Sequence, residues 1–242
     1  MIALIDSDIL CYSIGFSTEG KDEQEAKNYV DLFIQSILND TEADTYECWL
    51  TDSRENNFRH KLCESYKANR KADKPTHYEV IKEHLVVAHN ARIAFGMEAD
   101  DMLAIRYTEL TKDVAPWDKA KAVICSLDKD LDQIHGHHYK WAMYRNGEVW
   151  KPSLFYYVDG ESAMKFFWKQ MLMGDTADNI KGIPKIGDKK ADKLLLNCQT
   201  SDECEEVVKN QYEITYGDLQ QYEINYKLLY ILRSRDEVEN IS

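Results

Sequence analysis

Apolar positions follow two rhythms along this chain, and the rhythm changes once. Up to about residue 158, short apolar runs alternate with stretches of helical period. Residues 2–5, 47–51, 91–95 and 122–127 read as strands. The last is rich enough in Val and Ile to be covered on both faces. Between them, Ala26, Val30, Phe33, Ile34, Ile37 and Leu38 recur at helical spacing. So do Ile81, His84, Leu85 and Ala88, and further on Met102, Leu103, Ile105 and Leu110. Residues 139–144 and 148–150, joined through Asn146-Gly147, predict a hairpin. Alternating β and α predicts an α/β fold with a mostly parallel sheet flanked by helices. After Val158-Asp159-Gly160 no strand signal follows, and 161–173, 189–197, 203–212 and 219–232 read as helices. The expected division is an α/β core over 1–158 and a helical region over 159–242.

Charge changes this picture more than composition does. The net charge of −13 argues at first against a nucleic-acid partner. Its distribution argues the other way. Between Arg54 and Lys74 seven Lys/Arg face three acids, and between Lys181 and Lys193 five lysines face two. Two basic islands therefore sit on an acidic body. From Asp202 onward ten acids face four basic residues, which predicts a structural helical bundle. No apolar run approaches the ~20 residues of a membrane span, so no membrane partner is expected. The amino terminus lacks the basic and small-residue pattern of a signal peptide. Six cysteines without a CxxC pair read as reduced thiols of a cytoplasmic protein. His135, His137 and His138 have no nearby Cys and read as a surface loop rather than a zinc site.

Acids recur where apolar runs end. Asp6, Asp52, the group Glu98, Asp100 and Asp101, and the pair Asp128 and Asp130 each follow a predicted strand. Parallel α/β sheets bind ligands outside the carboxyl ends of their strands. Asp175 and Asp178, three apart, would share one face of a helix. Clustered carboxylates raise one another's pKa unless a cation compensates. All-oxygen donors suit Mg²⁺, with Mn²⁺ as a substitute, rather than zinc. So many carboxylates exceed the needs of one ion, which predicts two ions ~3.5–4 Å apart, an arrangement suited to phosphodiester hydrolysis. Downstream, Gly182-Ile183-Pro184-Lys185-Ile186-Gly187 reads as a small hairpin before a lysine-bearing helix. Glycines there would let a phosphate approach the backbone and the helix N-terminus.

These elements, in this order, resemble the flap endonuclease-like 5′-nucleases, particularly the short phage and bacterial 5′→3′ exonucleases. The matching stretches are Leu4-Ile5-Asp6, Asp52, Tyr66-Lys67-Ala68-Asn69-Arg70, Glu98-Ala99-Asp100-Asp101, Ser126-Leu127-Asp128-Lys129-Asp130 and residues 174–187. The resemblance implies a PIN-like nuclease core carrying a helix–hairpin–helix-type element. It implies one metal near Asp6, Asp52, Glu98 and Asp100 and a second near Asp128, Asp130 and Asp175, with Asp101 and Asp178 close by. Asp8 has no counterpart and is expected at the surface or behind the ligands. Lys67 and Arg70 match the pair that reaches the scissile phosphate. Tyr66, Lys71, Lys181, Gly182, Ile183, Lys185, Gly187, Lys189 and Lys190 are the candidate DNA contacts, and the hairpin can hold K⁺; for Tyr66, stacking on a base and packing in the protein are equal readings. The implied substrates are DNA 5′ ends, flaps or nicks, with other replication proteins as further partners. The segment 53–77 would form a short arch, too short for a long threading gateway. A non-catalytic DNA-binding protein and a single-strand ribonuclease are the alternative readings.

Overall fold

A computed structural model describes residues 1–70, 73–113, 120–145 and 147–241. Lys71, and Asn146 of the predicted turn, lie outside the described residues. The core elements run β1 (Ile2–Asp6), α1 (Ser7–Ser17), α2 (Glu23–Thr41), β2 (Thr45–Thr51), α3 (Phe58–Leu62), α4 (Tyr78–His89), β3 (Arg92–Ala94), α5 (Ala99–Thr111) and β4 (Ala122–Cys125). A 3₁₀ turn at Asp130–Gln133 leads into β5 (Gly136–Lys140), β6 (Met143–Arg145), β7 (Glu148–Lys151) and β8 (Leu154–Val158). The remainder is α6 (Gly160–Met173), β9 (Gly174–Asp175), β10 (Ile180–Lys181), α7 (Asp188–Leu195), α8 (Ser201–Tyr216), α9 (Gln220–Leu229) and α10 (Asp236–Ile241).

Six strands form one sheet in the order β3-β2-β1-β4-β5-β8. All its pairings are parallel except β5 with β8. Alternation along β1 sends Ala3 and Ile5 to a core shared with α1, α2 and α4, and Leu4 to a second core under α5. A third apolar cluster, containing Phe167, Met171, Ile183, Val208 and Tyr212, fills the carboxyl-terminal helices. The chain then returns, and Ile231 and Leu232 pack into the second core beside Leu103 and Ile105.

One helix has no counterpart among the expected elements: α1 over residues 7–17, which buries Leu10, Cys11 and Ile14. Three expectations change. Tyr139 lies in the main sheet and only 143–145 pair with 148–151. His138 is buried, its Nε2 donates to the Ile134 carbonyl at 2.7 Å, and it stacks on Tyr156, so His137 and His138 belong to β5 while His135 stays exposed in the loop before it. Asp175 and Asp178 are not on a helix, because Gly174-Asp175 and Ile180-Lys181 pair as a two-strand ribbon closed by the turn 176–179.

Glycines lock that ribbon in place. A β-carbon on Gly182 would lie 2.0 Å from the Met173 carbonyl carbon, and one on Gly174 (φ +71°) would lie 2.2 Å from the Gly182 amide. The two backbones therefore touch where the third core meets the acids. Gly182→Ala is expected to destabilise the protein by roughly 1–3 kcal/mol through forced backbone movement. A lower urea midpoint checks this, and an unchanged midpoint contradicts the packing argument.

Candidate metal centre and phosphate-facing cleft

The carboxyl ends of β1, β2 and β4 and the start of α5 deliver acids to one edge of the sheet. Asp6 ends β1 and caps α1, accepting from the Ile9 amide at 3.2 Å and from the Ser126 hydroxyl at 2.7 Å. Ser126 also holds the loop after β4, since its Oγ accepts from the Asp128 amide at 3.0 Å. Asp128 Oδ1 then accepts from the Asp130 amide at 2.9 Å, and Gln170 on α6 donates to Asp130 at 2.8 Å. Glu98, Asp100, Asp128, Asp130 and Asp178 line one cleft with Lys67, Arg59 and Tyr66.

A second layer lies over these acids. The Lys67 amide donates to the Asp178 carbonyl at 2.9 Å, Asn69 donates to the Thr176 carbonyl at 2.7 Å, and Asn179 donates to the Ser65 carbonyl at 2.8 Å. These bonds stitch the turns at 64–69 onto the ribbon turn at 176–179. Lys67 and Asn179 both take left-handed φ values, +54° and +61°. The stitching inserts the Lys67 ammonium between Glu98 and Asp178 and pairs Arg70 with Asp178. Lys129 adds a third cation, 3.4 Å from Asp175 and 3.6 Å from Asp130.

Electrostatics divides the acids. Burial, then the neighbouring Asp8 and Asp128 charges, push Asp6 up to about 7. Burial and Asp128 push Asp130 up to about 7 as well. Asp100 is raised well above the carboxylate range by burial, Asp6 and Asp128. Burial would also raise Glu98, yet Lys67 and Arg59 hold it at about 2. Among the described residues, Asp6 and Asp100 thus make no ion pair like that of Glu98, and Asp130 stays raised although Lys129 lies 3.6 Å away. Hard oxygen donors in excess of local cations are the chemistry that fits a divalent ion such as Mg²⁺.

Several expected site residues sit elsewhere. Asp101 is fully buried and accepts from both Arg59 terminal nitrogens, at 2.5 and 2.8 Å, and from the Leu232 amide at 3.0 Å. It anchors α3 and the returning chain and has no free face for an ion. Tyr66 is 2% exposed, and its hydroxyl donates to Glu98 at 2.9 Å, so it positions an acid instead of stacking on a base. Ile183 is buried in the third core and its amide donates to the Leu172 carbonyl at 2.8 Å. Gly182 serves backbone packing, and its carbonyl accepts from Tyr216 at 3.1 Å. The Ile183 amide is therefore already used inside the protein. Asp52 stays at the rim, held by the Gly96 amide at 2.8 Å, which lowers its pKa. Lys181, Lys185, Lys189 and Lys190 are exposed, and Gly187 opens α7 with free space around its α-carbon.

Three residues support the site beyond the expected ligands. Ser126 orients Asp6 and Asp128. Lys129 bridges Asp130 and Asp175. Asp8, expected at the surface or behind the ligands, is half-buried, accepts from the Thr51 amide at 2.8 Å, and is raised by burial. Removing the Asp101 anchor has a separate expected effect. Asp101→Asn leaves the buried Arg59 charge only the more distant Glu98, 3.6 Å away, and should destabilise the fold by about 3 kcal/mol. Chemical denaturation reads this directly, and a loss below ~1 kcal/mol would argue that Arg59 finds another partner.

Residues 1–159 match the family model described as the 5′-3′ exonuclease, N-terminal resolvase-like domain. A 5′-3′ exonuclease of Bacillus subtilis is 26% identical over 221 residues, covering 83% of this chain and 71% of that protein. A thermostable DNA polymerase I of Thermus caldophilus is 29% identical over 202 residues, 80% of this chain. The matched region spans 24% of the polymerase. Among solved structures, a bacteriophage T5 flap endonuclease in complex with DNA and metal ions superposes with a TM-score of 0.58 at 16% identity, covering 99% of this chain and 96% of that one. That likeness is one of fold. With the family model matched across the whole α/β core, this chain belongs to the 5′-3′ exonuclease N-terminal, resolvase-like domain family.

Proposed function

We propose that this chain is a divalent-metal-dependent 5′-nuclease that hydrolyses phosphodiesters near DNA 5′ ends, flaps or nicks, and also RNA annealed to DNA. The observation that carries this reading is the juxtaposition of the clustered carboxyls Asp6, Asp100, Asp128 and Asp130 with the inserted cations Lys67 and Arg70. Asp6, Asp52, Glu98 and Asp100 would hold one Mg²⁺ or Mn²⁺, and Asp128, Asp130 and Asp175 a second, with Asp178 nearby. Such a pair supplies an activated water and stabilises the leaving oxygen. A phosphodiester entering the cleft competes with Glu98 and Asp178 for Lys67 and Arg70, and those two side chains then neutralise charge gathering on its non-bridging oxygens. Lys181, Lys185, Lys189 and Lys190, with the open N-terminus of α7 at Gly187, would hold the duplex backbone without reading sequence. K⁺ at the 182–187 turn belongs to the same reading.

On this reading residues 1–158 cut and 159–242 bind DNA, in the cytoplasm, during replication, repair or phage DNA processing and alongside other replication proteins. Residues 75–76, near the end of the 53–77 segment, are pinned beside α1. Glu19 accepts from the Thr76 amide and hydroxyl at 2.8 and 2.7 Å, and Pro75 packs where a β-carbon on Gly15 would clash at 2.3 Å. The test is incubation with a 5′-labelled flap duplex in Mg²⁺ and in EDTA. Short 5′ products only in Mg²⁺ support the nuclease, and their lengths separate exonucleolytic from flap cleavage. Tight binding without cleavage in either Mg²⁺ or Mn²⁺ would replace it with a DNA-binding role.

A further inference from the structure

At the amino-terminal end of β2, away from the acid cleft, three polar side chains converge on a point. Asp31 of α2 receives two imidazoles of α4 on a single oxygen. His84 Nε2 lies 2.6 Å and His89 Nε2 2.8 Å from Asp31 Oδ1. The rings meet edge to face with centroids 5.4 Å apart. Both imidazoles are largely covered, 17% and 10% exposed, while Asp31 is half exposed. The Tyr46 hydroxyl lies 2.8 Å from His89 Nδ1. Among the described residues, no other trio of His, Cys, Asp or Glu brings one ligand atom each within 4.8 Å of one another.

We propose that Asp31, His84 and His89 form a transition-metal centre, separate from the acid cleft, for a nitrogen-preferring divalent ion such as Zn²⁺ or Co²⁺. Two neighbouring imidazoles sharing one carboxylate oxygen hold two protons between three electronegative atoms. One divalent cation takes the position of both protons, each ring keeping its single proton on Nδ1, and satisfies all three groups. Two nitrogens and one oxygen match the ligand preference of Zn²⁺ and its neighbours, not of Mg²⁺. Tyr46 supplies the outer contact that such sites use. With the proton on Nδ1 donated to the Tyr46 oxygen, the Nε2 lone pair faces the ion. The opening to solvent at Asp31 leaves a coordination position for water. An ion there clips α2 to α4, which cover the same sheet face. The length of β2 separates Tyr46 from Asp52, ~20 Å at about 3.3 Å per residue. The two centres thus differ in place and in donor chemistry, and this proposal does not rest on the nuclease reading.

The test titrates Co²⁺ into the chelator-stripped, desalted full chain in excess Mg²⁺, which occupies all-oxygen sites. One equivalent is expected to bind with visible absorption stronger than that of an octahedral all-oxygen Co²⁺ complex, and Zn²⁺ should displace it. Saturating Zn²⁺ should raise Tm by about 5 °C. His84→Gln and His89→Gln should each weaken Co²⁺ binding at least ~10-fold, the loss that even supporting groups produce. Both should retain wild-type Mg²⁺-dependent turnover. Asp31→Asn, at an exposed position, is the control variant if either Gln variant misfolds, and the same loss is expected. Co²⁺ stoichiometry and spectrum unchanged in these variants, or no Co²⁺ retained against Mg²⁺, would overturn the centre.

Discussion

Asp130→Asn and Asp128→Ala are each expected to lower Mg²⁺-dependent cleavage by at least ~10³-fold while raising the melting temperature in EDTA. The activity loss follows from the position of both acids at the end of β4, where they line the cleft under Lys67. A bound ion contributes several kcal/mol of charge stabilisation to phosphoryl chemistry, and each 1.36 kcal/mol is tenfold in rate. The stability gain follows from the same geometry. Asp128 raises the pKa of Asp6, Asp100 and Asp130, so removing one charge relieves repulsion on the others. Asn at position 130 also retains an acceptor for the Gln170 amide. The opposed signs separate a functional role from a structural one. A variant that loses both activity and stability would place these acids in the fold, and one that keeps wild-type turnover would remove them from the metal centre.

The edge acids were legible because a parallel strand must end somewhere, and its first polar residue falls at the sheet edge. Asp6 after Ala3-Leu4-Ile5 and Asp128 after Val123-Ile124-Cys125 needed no more than that. Asp101 was not separable from Asp100 by the same reasoning. Successive helical positions differ by about 100°, so one carboxylate faces the cleft and the next turns inward to Arg59, 42 residues earlier. Tyr66 stayed undecided between base stacking and packing for a similar reason. An aromatic residue inside a basic segment looks available to a base, but its partners Glu98 and Asp178 lie 32 and 112 residues away. The glycines of 182–187 carried the right backbone requirement and the wrong neighbour, since Gly182 admits Met173 rather than a phosphate. The β8 strand escaped notice because it is an antiparallel edge with Leu154, Phe155 and Tyr157 exposed, so it lacks the pattern of its buried neighbours.

In EDTA, the protein should be most stable near pH 4 and lose stability on going from pH 5 to 7.5, and Mg²⁺ should reduce that loss. Asp6 and Asp130 ionise near pH 7 when folded and near 3.8 as free groups. Between those values the folded state holds protons that the unfolded state has released. Stability therefore falls as pH rises through this window and levels off above 7. Each pKa unit is 1.36 kcal/mol, and coupling between the two sites keeps the combined loss on the order of 5 kcal/mol. Glu98 acts in the opposite sense. Held at about 2 against burial by Lys67 and Arg59, it contributes stability above pH 4.5 that disappears as pH falls toward 2. Together the two trends place the optimum between them. A divalent ion favours the ionised acids and so lifts the neutral-pH end of the curve more than the acidic end. Thermal melts from pH 4 to 8 with and without Mg²⁺ give both curves. Asp130→Asn should flatten the EDTA curve by removing its share. A melting temperature in EDTA that stays level or climbs between pH 5 and 7.5 would mean that the cleft already balances its own charge, and the electrostatic case for a cation there would fail with it.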